Sequence, residues 1–169
     1  MGYGIARVTP TVSLDAYVTG DVLFGMTEVS LPSRNCIVTG GYVIDYTNQL
    51  ASDVIDLYFF QKNEAELGDL NATANITDAD FAANQFLGAL TKGTVAAADQ
   101  IDGVSFYHLA SFGDTGNPLD DDPGKIMGPV LTSIETGYRV YMSGVLGTVS
   151  TSPDFSAQGE FEIILHFKY

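Results

Sequence analysis

The C-terminal stretch Gly159–Tyr169 carries the cleanest pattern in the chain. Phe161, Ile163, Leu165 and Phe167 alternate with Glu160, Glu162, His166 and Lys168, and Ile164 is the one break. A period of two places one set in a core and the other on the opposite face, so the stretch predicts a strand tied into a sheet. The same logic predicts strands at Val22–Phe24 and Thr27–Leu31 on either side of Gly25, and at Ile37–Tyr46, where Gly40-Gly41 marks a bend or bulge. Val54–Gln61 is nearly continuously apolar and reads as a central strand. Val104–Phe112 and Gly137–Leu146 follow, with Ala6–Leu14 as a weaker segment.

One segment has a helical period instead. Thr77 is a good N-cap, Asp80 approximates a capping box, and Ile76 can staple Phe81. The expected helix spans Asp78–Leu87, with Phe81, Ala82, Phe86 and Leu87 on one face and Gly88 as the stop. Two stretches read as long loops: the Ala-rich Thr91–Asp102, and Gly113–Pro129, rich in Gly, Pro and Asp. The elements sum to a mostly-β chain, a jelly-roll-like β-sandwich of about eight strands with one short helix. Residues 11–169 form one expected domain, and Met1–Pro10 is a candidate N-terminal arm.

Composition agrees with this picture. Apolar residues make up 46% and charged residues 17%, with eighteen glycines and no Trp, which suits short strands and tight turns. Seven basic against twenty-one acidic residues give a net charge of −14, which repels phosphate backbones and anionic membranes. No nucleic-acid or membrane partner is expected. The charge keeps copies apart in solution, or it attracts a basic partner surface. The N-terminal residues lack the pattern of a signal peptide, and no apolar run is long enough for a membrane helix. Asn71 and Asn75 match glycosylation acceptor patterns and read as chance matches in a polar loop.

A search for chemistry finds little. Cys36, the only cysteine, sits in an apolar run and reads as a small buried hydrophobe. His108 lies in an apolar strand pattern and His166 on the polar side of the last strand, both read as structural. No nucleophile elbow, zinc spacing or phosphate-binding glycine loop occurs. Carboxylates are plentiful, but the constellations that catalysis requires are missing, so no enzyme, no catalytic residue and no cofactor is expected. Asp114, Asn117, Asp120, Asp121 and Asp122 gather hard oxygen ligands in one loop. Their spacing is not that of an EF-hand, so the loop reads as solvated, with calcium as the alternative.

The order of several short motifs resembles a known family. Asp15-Ala-Tyr17 leads to Gly20-Asp21-Val22-Leu23, then to Tyr42-Val43-Ile44-Asp45 and Ile55-Asp56-Leu57-Tyr58-Phe59-Phe60. Leu67-Gly68-Asp69-Leu70-Asn71-Ala72, Ile76-Thr77-Asp78-Ala79-Asp80 and Leu87-Gly88 complete it. Over residues 12–95 this is similar to a family of small virion proteins of tailed bacteriophages. The resemblance implies a β-sandwich encoded among head and neck genes, with members that decorate or cement the capsid. It carries no catalytic residues, and the chain from Ala96 onward lies outside it. The residues are folding signals in their own right: Asp21 opens a strand, and Asn71 suits a left-handed turn. The expected function is therefore capsid decoration on the outer surface of the virion. The protein would bind the major capsid protein as a homo-oligomer, with a trimer at a symmetry axis as one form. Tyr3, Tyr17, Tyr107 and Tyr141 are candidate interface anchors. The alternatives are a receptor- or glycan-binding module of a fibre, or a neck protein.

Overall fold

The computed structural model describes residues 1–93, 99–111, 128–150 and 152–169. Its elements run β1 (Tyr3–Val8), β2 (Val22–Ser30), β3 (Asn35–Asp45), β4 (Val54–Phe60), α1 (Asp78–Asn84), β5 (Phe86–Lys92) and β6 (Asp99–Ile101). They continue with β7 (Val104–His108), β8 (Ala110–Ser111), β9 (Val130–Thr132), β10 (Arg139–Thr148) and β11 (Phe161–Lys168). The strands form two antiparallel sheets, ordered β1-β11-β3-β7-β6, with β9 also on β3, and β2-β10-β4-β5-β8. The expected β-sandwich is thus observed. Four pairings nest inside one another along the chain: β1 with β11, β2 with β10, β3 with β7, and β4 with β5. Two more, β11 with β3 and β10 with β4, close each sheet.

One apolar cluster fills the space between the sheets. From β11 it takes Phe161, Ile163, Leu165 and Phe167, and from β4 it takes Ile55, Leu57 and Phe59. The alternation read in the sequence thus becomes the inner face of each strand. Phe24 of the second sheet meets Phe161 of the first at 6.0 Å between ring centroids, and Phe155 adds a third ring 6.1 Å from Phe161.

Several sequence expectations are refined. Gly25 does not divide two strands: β2 runs straight through it, with register shifts where β10 passes Phe24. Gly144 on β10 sits opposite Phe24 at these shifts, where a Cβ would collide with the Phe24 ring. Gly144→Ala is therefore expected to cost about 1–3 kcal/mol through overpacking, measured by chemical denaturation. The stretch Val104–Phe112 is not one strand. The chain pairs with β3 up to His108, passes Leu109 into the core, and joins the second sheet at Ala110–Ser111. Phe112 lies outside the described residues.

The helix starts as expected. Thr77 accepts from the Asp80 amide, and the Asp80 carboxylate accepts in return from the Thr77 amide. It stops earlier, at Asn84, because Gln85 adopts a left-handed backbone with φ 56°. Phe86, Leu87 and Gly88 then belong to β5, which lies beside β4 where a helix end and loop were expected. The Thr91–Asp102 loop is likewise shortened by the ends of β5 and β6. Asn71 takes the left-handed turn anticipated for it, with φ 57°. Met1–Pro10, the arm candidate, carries β1, paired along its length with β11.

Candidate protein-binding face

The outward sides of the two sheets are treated differently. On the second sheet, Tyr58 and Phe60 of β4 and Phe86 of β5 project outward, and Phe81 of α1 packs on all three. The preceding loop is pinned there by the fully buried Asn84, whose Oδ1 accepts from the Glu64 and Ala65 amides at 2.8 and 3.0 Å. This explains the apolar run at the end of β4: Leu57 and Phe59 enter the core, and outward Tyr58 and Phe60 pack against Phe81 of α1.

The first sheet has no such cover among the described residues. Its register aligns outward side chains in rows. Arg7, Ile164, Tyr42 and His108 form one row across four strands, and Tyr3, Lys168, Ile37 and Val130 another. Tyr3, Ile5 and Val130 are exposed, whereas Ile37, Tyr42, Phe106 and Ile164 are half-buried by their neighbours. The two histidines flank one ring, with Tyr42 4.6 Å from His108 and 5.6 Å from His166. A depression of about 470 Å³ at one end is lined by Met1, Ile37, Val130 and Tyr169 among others. The carboxylate on this face, Glu162, accepts from Arg7 at 3.2 Å, Thr9 at 3.2 Å and Tyr46 at 2.9 Å. The hydrogen bond to Glu162 holds the Tyr46 phenol above its ordinary range.

The same sheet ends in a strand edge. Gly2 and Tyr169 exchange both backbone hydrogen bonds, at 2.6 and 3.0 Å. Antiparallel alternation then turns the backbone groups of Gly4, Ala6 and Val8 toward β11, and those of Tyr3, Ile5 and Arg7 toward the open edge. Tyr3, Ile5 and Arg7 thus offer their backbone to the rim and their side chains to the uncovered face. Of the four tyrosines read as anchors, Tyr3 is exposed. Tyr17 and Tyr107 are fully buried core residues instead, and Tyr141 is half-buried, its hydroxyl donating to Glu135 at 3.1 Å.

The interior holds one polar group of note. Lys92 at the end of β5 is fully buried, and its Nζ donates to the carbonyls of Asp53 at 2.5 Å and Gly93 at 3.3 Å. It stands 4.3 Å from the centre of the Tyr107 ring on the facing sheet. Burial pushes its pKa down to about 8, partly offset by the fields of Asp53 and Asp45. Asp45 accepts from Thr47 and Leu50, and Asp53 from Ser150, so the carboxylates organise strand ends. No solvent path is needed for this arrangement: it fastens one end of the sandwich from inside. The sequence reading missed Lys92 because it placed the residue in a loop, where a lysine is ordinarily solvated.

Cys36 is buried, donates to the Ser33 carbonyl at 3.2 Å, and has its thiol pKa raised by burial, which disfavours the reactive thiolate. Glu66, Asp69 and Asp80 line a polar depression of about 370 Å³ beside α1. Among the described residues no group of three or more His, Cys, Asp or Glu side chains is placed to hold a metal ion. The calcium candidates Asp114, Asn117, Asp120, Asp121 and Asp122 lie outside the described residues. No described helix is long and apolar enough to cross a membrane. Comparisons of the chain with known protein families, curated protein sequences and solved structures found no match.

Proposed function

We propose that the protein is a non-enzymatic structural component of a tailed-phage particle, decorating the outer surface of the capsid and gripping the major capsid protein. The observation that carries this reading is the outer edge of β1, which no other described strand pairs, with exposed Tyr3 and Ile5 beside its outward backbone groups. Soluble proteins ordinarily blunt such an edge, because it templates pairing with another chain. Here it fits strand addition, in which main-chain hydrogen bonds supply affinity and alternate side chains supply selectivity. The nested pairing, in which one long antiparallel hairpin is rolled into two sheets, supports the jelly-roll reading of the sandwich. The resemblance over residues 12–95 supplies the phage context. The acidic surface suits a partner with basic patches.

The test uses capsid shells assembled from the major capsid protein and the purified full chain. Ile5→Pro removes a backbone N–H that faces the open edge and leaves the Gly4 and Ala6 bonds to β11 in place. It should weaken shell binding about tenfold or more, the scale of one or two lost main-chain hydrogen bonds. Ile5→Thr, which keeps the N–H, should bind more tightly than Ile5→Pro. A wild-type chain that ignores the shells, or equal binding by the two variants, would refute strand addition as the means of attachment.

A further inference from the structure

We infer that the outer face of the first sheet is an interface between two copies of this chain, packed face to face about a twofold axis. The argument begins from charge. At −14, two copies repel one another, and most surfaces would bring carboxylate against carboxylate. The side around α1, for example, presents Glu64, Glu66, Asp69, Asp78 and Asp80. Four strands of the first sheet, β1, β11, β3 and β7, are the exception; β6, beyond β7, brings Asp99 into register with Phe106. Across β1, β11, β3 and β7 the outward set holds one carboxylate, Glu162, already paired with Arg7 at 3.2 Å. The rest of the set is apolar or aromatic, with His108, His166 and Lys168.

The two charges at the ends of β11 are complementary under a twofold. Glu162 and Lys168 mark opposite ends of β11, six residues apart, or roughly 20 Å at strand rise. An axis lying between the sheets and across the strands runs β11 of one copy antiparallel to β11 of the other. That operation sets Lys168 of each copy against Glu162 of its mate and brings Ile164 and Tyr42 near the axis. Two twisted sheets stack in this way at about 10 Å with their strands nearly aligned. The contact is isologous, so it closes at two copies. Both β1 rims stay at the edge of the dimer, so the pair could engage a shell at two points, although the interface does not depend on shell attachment.

Sedimentation equilibrium of the full chain over a range of concentrations tests this. A monomer–dimer equilibrium is expected, with the dimer dissociation constant raised about tenfold or more by Ile164→Glu, which buries a second carboxylate at the axis. Lys168→Glu, at the half-buried last residue of β11, should also weaken the dimer. Leu70→Glu, exposed in the β4–α1 connection and bridged to Val22 of the second sheet, should leave it unchanged. A monomer at every concentration, a higher oligomer, or a dimer indifferent to Ile164→Glu and Lys168→Glu would each overturn the inference. So would equal weakening by Leu70→Glu.

Discussion

Replacing Phe161 with alanine is expected to lower the unfolding free energy by about 3–5 kcal/mol, the largest loss from any single truncation considered for this chain. Phe161 is fully buried and bridges the sheets: its ring meets Phe24 of β2 and Phe155 of the β10–β11 connection, at 6.0 and 6.1 Å. The void left behind would be walled by two hydrogen-bonded sheets that cannot close over it, so little of the cavity cost is recovered. In a domain of this size the midpoint of thermal unfolding should fall by roughly 10 °C. Ile164→Ala on the same strand, at a half-exposed outward position, should cost less than half as much. Chemical denaturation of both variants decides the matter, and equal losses would show that the inward and outward assignments of β11 are mistaken.

The second expectation concerns alkaline pH. The Lys92 ammonium is depressed from 10.5 to about 8, chiefly by burial. Below pH 8 the folded chain must keep a charged ammonium in its interior. Between pH 8 and about 10.5 the unfolded chain holds a proton there that the folded chain has released. Stability from this residue therefore rises with pH across that window, by about 1 kcal/mol between pH 7.5 and 9 and by about 3 kcal/mol in full. Other groups oppose it at higher pH. Burial raises the Cys36 thiol and the Tyr58 and Tyr107 phenols, and pushes Tyr17 up to about 12. Those groups stay protonated in the folded chain after the unfolded chain has lost the proton, so their contribution falls as pH rises through their unfolded values. Urea unfolding of the wild type against Lys92→Met between pH 7.5 and 9 isolates the lysine. The wild type should gain stability relative to the variant. Parallel curves would mean that Lys92 titrates alike in the folded and unfolded chains.

Lys92 also shows where reading by pattern stops. A lysine after an apolar run reads as the solvated end of an element, and nothing local distinguishes a buried one. Its burial follows from β5 lying beside β4 and across from Tyr107, a contact between residues fifteen positions apart in different sheets. β5 itself was obscured because Phe86 and Leu87 continue the helical spacing begun at Phe81. The left-handed turn at Gln85 that separates them is not a glycine, so it carries no local signature. Tyr17 and Tyr107 were ambiguous for the same reason: a tyrosine serves equally in a core or at an interface, and only the facing sheet decides.

The uncovered face left a trace that could have been followed. Ile164 is the residue that interrupts the alternation of the last strand, and it sits in the row with Arg7, Tyr42 and His108. A single apolar residue among outward polar positions is ordinary on a protein surface, so by itself it names no partner. For Phe60 on β4 the partner is the chain's own helix, a contact only the tertiary structure reveals.

Local order in the chain was enough to establish a mostly-β sandwich, the inward set of β11, the Thr77–Asp80 helix start and the left-handed turn at Asn71. Each depends on side-chain period or on hydrogen bonds between near neighbours, which short-range stereochemistry dictates. Tertiary structure alone decided which strands share a sheet, that Leu109 carries the chain between sheets, and that Lys92 is interior. It also decided that α1 packs on Tyr58, Phe60 and Phe86 of the second sheet, while no described element covers the outer face of the first. These outcomes depend on pairings between residues up to the two ends of the chain, such as Tyr3 with Lys168, and no local period encodes which partner a strand will meet.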